Sequence, residues 1–222
     1  MQGLRFYGDP AFLMAKKNVA TSSRCRQALT IWKSSYPSMC RRGSISTNKV
    51  YQENLVAQKL IRHEAEHDAL TDALNRGAFE KILSIYEQGD TSFAMIMVDV
   101  DVFKQVNDTY GHSIGDKILV KVANNLQRKF RSIDYICRIG GDEFAIVMVD
   151  VDSDLKEVVR EKIAQVNENL SNPTDGLPTV SLSVGVAFSD RENPGDSIFK
   201  DADKALYKVK NNGRHSCGFY ER

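Results

Sequence analysis

Arg138-Ile139-Gly140-Gly141-Asp142-Glu143-Phe144 is the stretch from which the rest of the chain is read. Residues 135–139 and 143–149 on either side are apolar and β-prone, so they read as two strands, and the adjacent glycines between them are a hairpin signal. Asp142 then stands at the tip of a tight turn. Upstream, residues 93–98 form a continuous apolar run of six, read as a buried strand, and Asp99 follows it directly. An aspartate there has no packing role. A strand end and a tight turn in one sheet can hold two carboxylates close together, the donor set Mg²⁺ takes when phosphate oxygens and water complete its octahedron. Gly140 and Gly141 lack a Cβ, so a nucleotide can approach the backbone closely. Taken alone, these residues read first as a surface hairpin with solubilising acids.

The remaining elements extend the sheet and cover it. Helical spacing predicts helices over residues 50–67, 76–88, 113–130, 154–170 and 196–209, and a further strand over 179–188. Helices alternating with strands, with one hairpin, imply an α/β sandwich of helices on a mixed sheet. Residues 1–48 read as irregular. Turn chemistry punctuates them at Gly8-Asp9-Pro10, Thr21-Ser22-Ser23, Pro37 and residues 42–48, and Ser22 or Ser23 can cap a short helix carrying Ala28, Leu29, Ile31 and Trp32. The expected organisation is a basic N-terminal segment over 1–49, a linker or stalk helix over 50–67 with Leu55, Val56, Leu60 and Ile61 as its apolar stripe, and one domain over 68–222.

Hydrophobic residues make up 42% of the 222 residues and charged residues 27%, which suits a globular chain with a buried core. No apolar run approaches the ~18 residues of a membrane span, and no leader pattern opens the chain, so a cytoplasmic protein without a membrane span is expected. Cys25, Cys40, Cys137 and Cys217 show no paired spacing and read as free thiols. Residues 1–50 hold nine Lys/Arg against one acid, Asp9, while the remainder holds 21 against 28. Such a basic head can meet nucleic acid, an anionic membrane or an acidic partner. A solvated surface, or an extension docked on the acidic domain, is the preferred reading, and nucleic acid is not expected.

Four blocks, in order, resemble the GGDEF diguanylate cyclase family. Residues 138–144 match its signature string. Asp68-Ala69-Leu70-Thr71 with Asn75-Arg76 is similar to its opening motif. Asp99-Val100-Asp101-Val102-Phe103-Lys104, leading to Asn107-Asp108, Gly111-His112 and Gly115-Asp116, is similar to its second block. Lys210-Asn211-Asn212-Gly213-Arg214 resembles its closing block, and the resemblance covers residues 68–220. It implies a nucleotidyl-cyclase palm-like fold, the joining of two GTP into cyclic di-GMP with release of two pyrophosphates, and a Mg²⁺ cofactor, Mn²⁺ being possible.

Residue by residue, the resemblance implies that Asp99, Asp142 and the Val100 carbonyl hold metal. Asp142 is the implied general base, and Glu143 completes the acidic tip. Asn107 and Asp116 would face the guanine edge with His112 beside them. Asp116 can accept from N1–H and the exocyclic amine, donors that adenine does not offer there. Phe103 and Lys104 would meet the triphosphate, and Lys210 and Arg214 the departing pyrophosphate. Asp101 is read instead as the N-cap of the short helix after it. Arg131-Ser132-Ile133-Asp134 matches the family's RxxD inhibitory motif, which implies cyclic di-GMP as inhibitor as well as product. Since each domain has one GTP pocket and the product needs two, a homodimer is implied.

Two positions depart from the family pattern: Asp72 stands where Gly is usual, and the closing Gly-Arg-Asn reads Gly213-Arg214-His215. Two rival functions compete with this one. His63-Glu64-Ala65-Glu66-His67 literally matches HExxH, with Glu87 20 residues beyond, which makes a zinc hydrolase the rival enzyme. Its glutamates suit an exposed face and it abuts the opening motif, so the linker helix is preferred. The other rival is a catalytically inactive domain that serves as a GTP or cyclic di-GMP receptor; the intact acids and RxxD motif favour an active cyclase.

Overall fold

The computed structural model describes residues 37–172 and 174–221, with side chains from residue 50 onward. The helix expected after Ser22 or Ser23 lies outside the described residues. The described residues divide into two compact units, with the boundary between Leu60 and Ile61.

Helix α1 (Pro37–Glu66) spans 30 residues and begins well before residue 50. Residues 42–48, expected to be turn-forming, are helical. Proline is tolerated at a first helical position because its missing N–H has no acceptor there. Val56, Leu60 and Ile61 of the expected stripe are exposed, and Leu55 is half-buried. Among the described residues no helix is long and apolar enough to cross a membrane.

The second unit is built on a five-stranded sheet. In chain order its elements are α2 (Arg76–Gln88), β1 (Phe93–Val100), α3 (Phe103–Tyr110), α4 (His112–Lys129), β2 (Tyr135–Arg138), β3 (Glu143–Val149), a 3-10 turn (Ser153–Leu155), α5 (Lys156–Ser171), β4 (Leu182–Phe188), α6 (Ile198–Asn211) and β5 (Cys217–Phe219). The strand order is β2-β3-β1-β4-β5. β1 is antiparallel to both β3 and β4, and β5 runs parallel to β4. This is the expected α/β sandwich on a mixed sheet.

Alternation along β1 explains the layering. Ala94, Ile96, Val98 and Val100 pack with α4 (Ile118, Val122, Leu126) and α5 (Val159, Ile163, Val166). Phe93, Met95 and Met97 point the other way, onto Phe79 of α2 and Ile198, Ala202 and Leu206 of α6. A strand covered by helices on both faces must be apolar throughout, which is why residues 93–98 show no polar alternation. Gly185 of β4 lets α6 lie directly on the sheet, since a Cβ there would stand 2.1 Å from the Leu206 nitrogen and 2.2 Å from the Ala202 oxygen.

Several boundaries differ from expectation. β1 continues through Asp99 to Val100, so Asp99 is a strand residue and does not follow the strand. β4 begins at Leu182, later than residue 179, and α6 begins at Ile198 after its cap Ser197. β5 has no counterpart among the expected elements. Cys137 and Cys217 are free, and burial pushes both thiols up to about 12.

Candidate functional site

Asp99 owes its place to the middle strand. In register it faces Glu143 on β3 and Ser183 on β4. The turn linking β2 to β3 runs over residues 139–142, and the Val100 N–H donates to the Asp142 carbonyl oxygen at 3.2 Å. The end of β1 thus holds the acidic turn by its backbone. Burial pushes the Asp99 carboxyl above its ordinary range; the Lys210 ammonium, with Nζ 2.6 Å from Oδ2, opposes this, while the charges of Asp142 and Asp101 add to it. A half-buried carboxylate that feels two other carboxylates is a site in need of positive charge. Lys210 supplies some of it, and a divalent cation on Asp99 and Asp142 fits the donor set. Glu143 is exposed at the start of β3. A Cβ on Gly140 would stand 2.6 Å from Glu143 Oε2, whereas one on Gly141 would meet open space.

A second group of residues forms where α3 meets α4. Val102 opens α3 with φ 53, in the left-handed region where a β-branched residue is an outlier. The N–H groups of Gln105 and Val106 return to the Val102 carbonyl, and those of Phe103 and Lys104 make no hydrogen bond among the described residues. Phe103 packs on the core and Lys104 is exposed. Asn107 Oδ1 is buried without a hydrogen-bond partner among the described residues. Gly115 makes room for it, because a Cβ on Gly115 would stand 2.0 Å from that oxygen. His112 and Asp116 lie exposed on the first turns of α4. A buried, unpaired carbonyl beside an open carboxylate can receive the donor edge of a purine.

Asp101 is not the helix cap that the sequence suggests. Val102 occupies the cap position and makes no side-chain bond. The Asp101 carboxylate is 3% exposed and accepts from Ser181 Oγ and Ser183 Oγ, each at 2.6 Å, and from the His215 N–H at 3.2 Å. It anchors the closing loop, in which Gly213, Arg214 and His215 all have positive φ. Arg214 is exposed, its Nε 3.9 Å from Asp101 Oδ1.

Arg138 carries more than its place in the signature indicates. Its Nη1 donates to Asp68 Oδ1 at 2.9 Å, and its Nε and Nη2 donate to the Gly141 carbonyl at 3.2 and 2.8 Å. Burial pushes the Asp68 carboxyl up, but hydrogen bonds from Thr71 and Arg138 outweigh this and hold it below the usual carboxylate range. The only sequence signal for the pairing is an acid in one block and an arginine in another.

Arg131 and Asp134 are paired with each other. Arg131 Nη2 lies 2.6 Å from Asp134 Oδ1 and Nε 3.0 Å from Oδ2, and Nη2 also donates to the Val149 carbonyl. The hydrogen bond that Arg131 donates to the Asp134 carboxylate, and then the charge of that carboxylate, raise the Arg131 pKa against the effect of burial. The Asp134 side chain is fully buried, whereas that of Arg131 is 40% exposed.

Known proteins resemble the chain in sequence and in fold. The family model described as "Diguanylate cyclase, GGDEF domain" matches residues 65–216. Diguanylate cyclase DgcM of Escherichia coli K12 is 35% identical over 166 residues, which are 71% of this chain. The chain spans 39% of that relative's length. Among solved structures, the coiled coil and GGDEF domain of DgcB from Caulobacter crescentus, in complex with c-di-GMP, is 28% identical. It covers 82% of this chain and 99% of its own, with a TM-score of 0.67. Diguanylate cyclase SiaD of Pseudomonas aeruginosa, solved with its activator SiaC, is 26% identical with a TM-score of 0.64, covering 94% of this chain and 79% of its own.

Proposed function

The chain belongs to the GGDEF family of diguanylate cyclase domains, and on that premise we propose that it condenses two GTP into cyclic di-GMP and two pyrophosphates. The observation that carries this reading is the pair of acids at the end of β1 and in the adjoining turn, Asp99 and Asp142, with Asp99 raised by burial and by neighbouring negative charge. In each half-reaction a ribose 3′-oxygen loses its proton and bonds to the α-phosphorus of the other GTP. The bond from that phosphorus to the bridging oxygen breaks, and pyrophosphate leaves. Asp142 accepts the proton, with Glu143 beside it. Asp99, Asp142 and the Val100 carbonyl would hold Mg²⁺ or Mn²⁺, which when bound stabilises charge on the attacking and leaving oxygens. Asn107 Oδ1, buried and unpartnered, and Asp116 accept from the guanine edge, with His112 alongside. The free N–H groups of Phe103 and Lys104 meet the triphosphate. Lys210 leaves Asp99 for the pyrophosphate, joined by Arg214.

Two chains must face each other, because each holds one GTP. The exposed apolar stripe of α1 (Val56, Leu60) supports a homodimer joined through that helix. Product inhibition is placed at Arg131 and Asp134, with Arg131, the exposed half, meeting cyclic di-GMP first. We place the protein in the cytoplasm, where GTP is supplied. Incubation of purified protein with GTP and Mg²⁺, with products resolved by chromatography, tests the reading. Asp99→Asn or Asp142→Ala should abolish product in a folded protein; a folded double variant working at the normal rate sinks it. Arg131→Ala combined with Asp134→Ala should leave initial rates unchanged and relieve inhibition; unchanged inhibition curves make the motif a structural ion pair.

A further inference from the structure

We propose that His63, His67 and Asp72 form a site for one divalent transition-metal ion, zinc being the best match, that staples the last turn of α1 to the turn opening the catalytic domain. His63 lies in the last turn of α1, and His67, the residue just past its end, sits one turn on, its N–H donating to the His63 carbonyl at 2.9 Å. Their rings stack with centroids 3.8 Å apart and planes 24° from parallel.

Asp72 completes the set. Its Oδ1 lies 2.8 Å from His63 Nε2 and 3.7 Å from His67 Nδ1. Tetrahedral zinc, with bonds of ~2.0–2.1 Å, sets its donor atoms about 3.3 Å apart, between these two distances. One ligand atom from each residue falls within 4.8 Å of the others. His67 Nδ1 is now 2.8 Å from the Asp72 backbone oxygen, a contact it would exchange for metal. Two imidazoles and one carboxylate suit zinc and its neighbours better than Mg²⁺, so the site is chemically distinct from Asp99 and Asp142.

Two further features point to a site and not to chance proximity. Asp72 has φ 57, in the left-handed region where glycine is favoured, and still carries a carboxylate. The frame around it is already ordered: Asn75 Nδ2 donates to the Ala65 and His67 carbonyls, the Asp72 N–H to the Asp68 carbonyl, and His67 bridges Leu74. The side chains remain open to an incoming ion, with His63 50% and Asp72 75% exposed. A fourth position is left for water.

The full chain, stripped with chelator and kept in excess Mg²⁺ to occupy the hard carboxylates, would be titrated with Co²⁺ and Zn²⁺. One equivalent of Co²⁺ should give the intense visible absorption of a tetrahedral site, displaced by Zn²⁺. His63→Ala with His67→Ala should weaken binding by about 100-fold, and Asp72→Gly by about tenfold. Asp72→Gly suits the backbone at φ 57, so its loss of binding cannot be ascribed to misfolding. Zinc should also slow amide exchange over residues 61–75 in the unmodified chain and not in the double variant. A Co²⁺ spectrum unchanged by the histidine substitutions, or one matching the aqueous ion, overturns the site. Binding through the histidines with no change in exchange overturns the staple.

Discussion

Gly115→Ala separates stability from nucleotide binding, because the structure gives the two effects opposite signs. The added methyl would stand 2.0 Å from Asn107 Oδ1, 3.0 Å from its Cγ and 3.2 Å from Phe103 Cζ. Helical backbone at residue 115 accepts alanine, which is worth about 1 kcal/mol over glycine in a helix interior. Expelling the Asn107 amide removes no hydrogen bond from Oδ1, since that oxygen has none. It frees a buried acceptor whose burial costs about 1–3 kcal/mol. Stability should therefore hold or rise, and a gain of 1 kcal/mol is about 2–4 °C in Tm for a chain of this size.

The same displacement removes the group placed against the guanine edge. Loss of one buried hydrogen-bonding partner, about 1–3 kcal/mol, weakens GTP binding roughly 5- to 150-fold. Calorimetric titration of GTP with Mg²⁺ and a thermal melt of the same samples read both quantities. Asn107→Ala should reproduce the affinity loss, and the double variant should be no worse than either single one. A folded Gly115→Ala protein with unchanged GTP affinity would refute the placement of Asn107. A Tm fall of more than about 5 °C would refute the idea that its amide is free to leave.

Asp101→Ala should lower stability by about 3 kcal/mol, read as a urea midpoint, because Ser183 is fully buried and loses its acceptor together with Ser181 and the His215 N–H; a loss under 1 kcal/mol would show that the closing loop is held by other means. Acid should destabilise the fold through Asp68 and Asp201. Burial pushes Asp201 up, but the Gly195 N–H, Arg191 and Lys204 together hold it below its ordinary range. Both contribute stability above the unfolded value of about 3.9 that is lost as pH falls through their lower folded values. Asp99 runs the other way, its raised carboxyl favouring the fold as pH falls from its folded value toward the unfolded value of about 3.9, so Asp99→Asn should steepen the acid loss in urea midpoints over that interval. Removal of residues 1–66 should leave a domain whose rate per molecule climbs with protein concentration, whereas the full chain depends on it far less; superimposable rate–concentration curves would rule out the stalk.

The parts of the fold that were legible are those that local pattern determines. Residues 93–98 read as a buried strand because helices cover both faces, and residues 140–142 read as a turn because strand-forming residues flank two glycines. Contacts between distant segments left no such trace. Asp101 precedes a short helix, so local reasoning makes it a cap, yet its donors Ser181 and Ser183 are 80 and 82 residues away. Asn107 and Gly115 lie on different helices and meet only because Gly111, at φ 81, turns the chain between them. β5 is a three-residue strand visible only once β4 offers it an edge. In residues 42–48, Gly43, Ser44, Ser46, Thr47 and Asn48 have poor helix propensity, and the observed helix runs through them.

Arg138 connects these observations to catalysis. In the proposed reaction the acidic turn must keep Asp142 near Asp99, and besides the hairpin's own bonds from the Ile139 and Gly140 N–H to the Glu143 carbonyl, two contacts hold it: the Val100 N–H on the Asp142 carbonyl, and the Arg138 guanidinium on the Gly141 carbonyl. The same guanidinium is fixed by Asp68, which also accepts from the Thr71 N–H and hydroxyl and whose carbonyl receives the Asp72 N–H. The turn after α1 and the turn bearing Asp142 are therefore positioned by one planar group. Arg138→Lys tests this, because lysine keeps the charge but cannot fork between Asp68 and Gly141. Losing one arm of that fork, about 1–2 kcal/mol, loosens the acidic turn without touching Asn107 or Asp116. The expected result is a roughly tenfold lower kcat with KM for GTP unchanged, the pattern of an interaction needed only in the transition state. An unchanged kcat would mean that the Val100 contact and the hairpin's own backbone bonds suffice to hold the turn, and a rise in KM alone would move Arg138 into nucleotide binding.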